Sequence, residues 1–209
     1  MARLTDRCKD LVTLAMKDGI YEAAIKVLGE HGIEGLTMDR VAEVAGVAKG
    51  SLYNYFQNKE ELVGFIFEKT VEPAERAVDE IMSASIPAVQ KLEAALRVWF
   101  ELLARNRGLF DFLLNNPTIR RCHDPRERGK REEAIGKFRT IFEQGIEEGA
   151  FRPFDAGRGA EMFFGALTAS IEHQLTSGEE RPVDESVSGM IDLLLYGVAA
   201  KGLEGASSE

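Results

Sequence analysis

Apolar residues in this chain recur at steps of three and four, as in Val89, Leu92, Leu96, Trp99 and Leu103. No stretch of strict alternation bounded by turn residues lasts long enough for a strand. This periodicity restricts the chain to an all-α fold. Breakers at 32–35, Gly46, 57–58, 83–87, 115–117, 122–125, 149–155 and 176–183 cut it into about nine helices, followed by a polar tail over 202–209.

With 209 residues the chain can bury a core without disulfides or metals. Its two cysteines, Cys8 and Cys122, have no partner at metal or redox spacing, which points to a reduced, cytoplasmic protein. No run without Asp, Glu, Lys or Arg exceeds ten residues, the length of 162–171 and about half of a membrane span. The charges at Arg3, Asp6 and Arg7 leave no room for a secretory leader. A net charge of −9 excludes a protein that coats nucleic acid by charge alone, and most of the acidic excess falls after Gly64. Any nucleic-acid contact must be a local patch in the first third.

That first third reads as a three-helix module. Residues 20–31 carry Ala23, Ala24, Val27 and Leu28 on one face and end at Gly32, suited to the left-handed conformation that closes helices. Thr37 supplies a side-chain cap for a helix over 38–45, which Gly46 closes. A third helix follows, the arrangement in which a second helix enters the major groove. Leu52 and Phe56 point into the core beside Val41, Val44 and Val47, so Gly50 and Asn54 point outward, flanked by Ser51 and Tyr53, with Lys49 in the first turn. Small residues, hydrogen-bonding groups, a cation and phenols are what a groove reader uses. Asn58 and Glu61 form a capping box that opens a fourth helix and presents Lys59 to a phosphate. A further short helix over 10–17 can precede the module.

The run from Gly32 to Leu62, with Thr37, the stretch Val47-Ala48-Lys49-Gly50-Ser51-Leu52-Tyr53-Asn54-Tyr55-Phe56 and Asn58-Lys59-Glu60-Glu61, closely resembles the DNA-binding signature of TetR-family transcriptional regulators. The resemblance covers about residues 18–68. It implies a homodimeric repressor that binds double-stranded operator DNA and is released by a small-molecule effector. It also implies phosphate contacts from Thr37, Tyr53, Tyr55 and Lys59, and groove contacts from Lys49, Gly50 and Ser51. Two residues depart from the family's pattern: Ala48 stands where a Ser or Thr cap is common, and acidic Asp39 occupies a second-helix position from which some members reach a base.

The expected domains are 1–64, including an extension over 1–17, and a larger helical ligand-binding and dimerisation domain over 65–209. Eleven of the twelve Phe and the single Trp fall in the second. Large aromatics that cannot interdigitate fully enclose space, so Phe65, Phe67, Trp99, Phe100, Leu103, Phe110, Phe138 and Phe142, with Phe112, are the candidate lining of a cavity for a hydrophobic or amphipathic effector. Two late helices, about 156–177 and 184–201, are apolar around most of their circumference, whereas a surface helix needs one apolar stripe. Phe163, Ala166, Ser170, Met190, Leu194 and Val198 are therefore expected at a homodimer interface built as a four-helix bundle.

Enzymatic readings find little support. Cys122-His123-Asp124 lacks the further ligands of a zinc site, and Glu172-His173 reads as a satisfied interface or pocket pair. No phosphate loop, nucleophile elbow or paired-carboxylate motif occurs, so neither catalysis, a cofactor nor a metal is expected. The competing reading is a helical protein-interaction scaffold, or a small-molecule-binding protein, without DNA binding.

Overall fold

The computed structural model describes residues 4–115 and 125–197. Val198, the Cys122-His123-Asp124 triplet and the polar tail lie outside the described residues. Among the described residues there are nine helices and no strand. They are α1 (Leu4–Gly35), α2 (Met38–Val44), α3 (Lys49–Tyr53), α4 (Lys59–Ser83), α5 (Ala88–Arg105), α6 (Arg107–Asn115), α7 (Pro125–Glu147), α8 (Ala156–Thr176) and α9 (Val183–Tyr196).

Two units emerge from the packing: Met1–Pro73 with Gly108–Arg121, and Ala74–Arg107 with Cys122–Glu209. The sequence boundary at 64 falls inside α4, which runs unbroken through Pro73. A proline there removes one intrahelical hydrogen bond without ending the helix.

The first unit is built on Ile20, Ala24, Val27, Leu36, Val41, Leu52, Phe56, Leu62, Val63 and Ile66, all buried, with Leu109 of α6 completing the cluster. α1 begins well before residue 20. Residues 10–17 do not form a separate helix, because neither Asp18 nor Gly19 breaks the turn; the helical run continues to His31. It stops at Gly32, whose φ of 64° and ψ of −175° leave the helical region. Val44, expected in the core, is 37% exposed instead. The buried face of α2 is formed by Met38, Val41 and Ala42, which leaves Val44 at the rim.

In the second unit α5 packs on α7 and α9, and α7 on α8. Leu92, Leu96, Phe100 and Leu103 form the buried stripe of α5, and Ile141 and Phe142 that of α7. The separation of α5 from α6 has no Gly or Pro at the break. Asn106 ends α5 by donating its own amide Nδ2 to the Leu102 carbonyl at 2.9 Å, satisfying a terminal acceptor.

Candidate nucleic-acid interface

The helix-turn-helix follows from local chemistry. Thr37 Oγ1 accepts from the Arg40 N–H at 3.2 Å and caps α2. At the other end Gly46 takes φ 67°, and the Val47 N–H returns to the Ala42 carbonyl at 3.0 Å. This tight turn delivers Ala48 as the N-cap of α3, with no side chain to accept; the Ala48 carbonyl receives the N–H groups of Ser51 and Leu52. Arg40, which the sequence pattern did not single out, donates Nη1 to the Gly35 carbonyl at 2.6 Å and ties α2 to the end of α1.

On α3, Leu52 is fully buried while Lys49, Gly50, Tyr53 and the adjoining Asn54 are exposed. Ser51 is half-buried, and Tyr55 packs partly against the core. Thr37 lies exposed at the start of α2. Lys49 Nζ is paired with Asp39 Oδ1 at 2.5 Å. The hydrogen bond that Lys49 donates to Asp39, and then the charge of Asp39, hold the Lys49 ammonium above the ordinary lysine pKa. Lys59 is half-buried: its Nζ donates to the Ile33 carbonyl at 3.1 Å and stands 5.0 Å from the ring centre of Phe112. At α4 the Asn58 cap forms, and Glu61 reaches back to the residue before the cap rather than to the cap itself. Asn58 Oδ1 accepts from the Glu61 N–H at 2.8 Å, and Glu61 Oε2 accepts from the Gln57 N–H at 2.6 Å.

The residues read as an effector lining fall in two places. Phe65, Phe67, Phe110 and Phe112 belong to the first unit, where Phe65 lies against Phe56 with ring centres 5.1 Å apart and Phe67 meets Phe110 edge-on at 5.3 Å. Trp99, Phe100, Leu103, Phe138 and Phe142 belong to the second, where all but half-buried Trp99 are buried. Phe142 is the hub of an aromatic cluster, with Phe151, Phe154 and Phe163 packed edge-on at 5.8, 5.5 and 5.7 Å.

An open groove of 870 Å³ runs between α8 and α9, floored by Phe142, Phe151, Phe154 and Phe163. Ala166, Ser170, Met190 and Leu194 line it as well, so the described residues read as an interface come together along one surface. Phe163 is committed to its own unit, being buried against Phe138. Met162 and Leu193, also lining the groove, are 76% and 56% exposed. His173 is not part of this surface; it sits exposed in the last turn of α8, 3.9 Å from Glu179. Among the described residues no group of three His, Cys, Asp or Glu side chains is placed to hold a metal ion, and no helix is long and apolar enough to cross a membrane.

Residues 20–64 match the sequence model of the bacterial regulatory proteins of the tetR family. The chain is 29% identical to the HTH-type transcriptional regulator YhgD of Bacillus subtilis over 184 residues, 87% of this chain and 95% of that one. Among solved structures it resembles the fatty acid degradation regulator FadR of Bacillus halodurans, with a TM-score of 0.64, 25% identity, and 89% and 97% of the two chains covered. FadR of Bacillus subtilis, solved with stearoyl-CoA, shares the fold at a TM-score of 0.64 and 24% identity, over 87% and 98% of the chains. Fold, module and relatives together define a DNA-binding regulator of transcription. Residues 20–64 thus carry the DNA-binding module of the tetR family.

Proposed function

We propose that this regulator acts as a homodimeric repressor, binding a palindromic operator through α3 and releasing it when a hydrophobic or amphipathic effector occupies the second unit. The observation that carries the DNA contact is the division of α3: Leu52 fully buried, with Lys49, Gly50, Tyr53 and Asn54 exposed beside it. Thr37 and Tyr55 flank this face, and Ser51 is half-buried within it. Lys59 keeps ammonium protons available beyond the one given to Ile33.

Support for the dimer comes from the α8/α9 groove, a largely apolar surface that a second copy of the same pair would bury. Support for the effector class comes from the aromatic content around Trp99, Phe100, Leu103, Phe138 and Phe142. The fatty-acid regulators among the similar structures make long-chain acyl thioesters the first class to test.

Selection from a random duplex pool tests the reading. A two-fold symmetric site should be recovered, with half-sites about 34–36 Å apart or a multiple of that. Tyr53→Ala should weaken binding to it by about 1–3 kcal/mol while leaving the thermal transition in place. A pool that yields no preferred site would leave a helical protein that binds small molecules or other proteins.

A further inference from the structure

The ion pair between Asp39 and Lys49 is unusual in its place rather than its strength. It joins the first turn of α2 to the first turn of α3 on the surface assigned above to DNA, with both side chains more than half exposed. A carboxylate here repels phosphate and cancels the charge of a cation at the start of the reading helix. A free lysine would gain affinity from any phosphate by releasing counterions, whatever the sequence. Held by Asp39, that sequence-independent gain is suppressed.

We propose that Asp39 and Lys49 act as one specificity element that reads a G·C base pair, a step that rests on the DNA-binding reading above. Lys49 Nζ gives one proton to Asp39 Oδ1 and keeps two. Asp39 keeps its second oxygen. The pair thus offers two donors and an acceptor side by side. Across the major groove a G·C pair presents acceptor, acceptor, donor in N7, O6 and N4, which matches Lys49 on guanine and Asp39 on cytosine. An A·T pair presents acceptor, donor, acceptor and sets the adenine amino group against the ammonium. Asp39 also fixes the end of a long side chain that otherwise samples many rotamers, so it serves as a positioning residue for Lys49.

The test is selection from random duplex by the wild type, Asp39→Ala, Asp39→Asn and Lys49→Ala, followed by titrations against the wild-type site, a site with the assigned G·C changed to A·T, and a scrambled duplex. The wild type should show a G·C preference of roughly tenfold or more at one symmetric position in each half-site. Both Asp39 variants and Lys49→Ala should lose that preference alone. The Asp39 variants should bind the scrambled duplex more tightly, with a salt slope steeper by about one per subunit as Lys49 turns to phosphate. A structural ion pair alone would leave the base preferences intact and change affinity for all three duplexes by one common factor, and that result overturns the proposal. If the wild type selects a site and the Asp39 variants keep the same G·C preference, this inference fails and the DNA-binding reading stands. If the wild type selects no site, both fail.

Discussion

At Gly35 a Cβ would stand 2.3 Å from the Cβ of His31, whereas at Gly50 it would meet nothing within 4 Å. The two glycines therefore serve different ends. Gly35 lets the chain fold back closely after the break at Gly32 and leaves its carbonyl to Arg40. Gly35→Ala should force backbone apart in the module and lower stability by about 1–3 kcal/mol, read as a fall in Tm. Gly50→Ala should hold or raise Tm, since alanine favours a helix over glycine by up to about 1 kcal/mol, yet weaken operator binding because the added methyl occupies the space between α3 and the groove floor. Measuring both quantities for both variants separates the fold from its use; a Gly50→Ala protein with undiminished affinity would mean that α3 does not approach DNA closely. Lys59 shows the same double accounting. Its place in the first turn after the Asn58 cap was legible, but its bond to Ile33 and its place over Phe112 depend on residues distant in sequence that no local pattern reveals.

Elements were readable where their ends are chemical. Gly32, Thr37, Gly46 and the Asn58/Glu61 box each mark a terminus with a residue whose geometry allows little else. The break at Asn106 was hidden because asparagine caps by a side-chain bond to a carbonyl, which a count of Gly and Pro does not register. The loop between α4 and α5 was legible as a break over 83–87, though not its fastening. Gln144 Nε2 of α7 donates to the Ile86 carbonyl at 2.9 Å, and Glu148 Oε2 accepts from the Ala88 N–H at 2.9 Å, at the start of α5. Lys91 adds a bond from Nζ to the Met82 carbonyl at 2.8 Å. The Ala88 N–H, and then Gln144, hold the Glu148 carboxyl below its ordinary value of 4.5. A folded-state pKa below the unfolded one gives a contribution to stability that is present above about pH 4.5 and is lost as pH falls through the folded value. Glu148→Gln should therefore be less stable than the wild type at pH 7, and the gap should close on acidification below pH 4.5. Paired denaturation curves at pH 7 and pH 3.5 check this; an unchanged gap would remove Glu148 as its cause.

At the scale of the whole molecule the sequence separated a module with sharp motifs from a body with only composition to go by, because motifs survive where chemistry fixes each position and a helical core does not. Thus the buried and outward sides of α3 were legible, although the helix ends at Tyr53, short of Asn54 and Phe56, while the aromatics grouped as one lining divide between the two units. The α8/α9 surface was legible as apolar on too many sides, and Leu194 lies on it. Leu194→Asp should place an unpaired carboxylate in the proposed dimer interface and shift sedimentation from dimer to monomer or aggregate. A wild-type monomer at micromolar concentration would exclude that interface.

Under the proposed function, regulation rests on linkage. A dimer contacts both half-sites only while its two α3 helices keep a fixed separation, so any state that changes this separation loses both contacts together. An effector favours such a state only to the extent that it binds it more tightly than the DNA-bound one, and operator must weaken effector binding by the same factor. Phe100 is a poor probe of this coupling: at 2% exposure its truncation costs about 3–5 kcal/mol of folding and confounds the result. Trp99, half-buried on the same helix, is the better choice. With a long-chain acyl-CoA as the probe, effector affinity should fall when operator is added, by the factor by which acyl-CoA weakens operator binding. Trp99→Ala should bind operator normally without effector and need more acyl-CoA to release it. Calorimetric titrations with and without operator supply both numbers, and equal effector affinity in the two would leave a DNA-binding dimer without this switch.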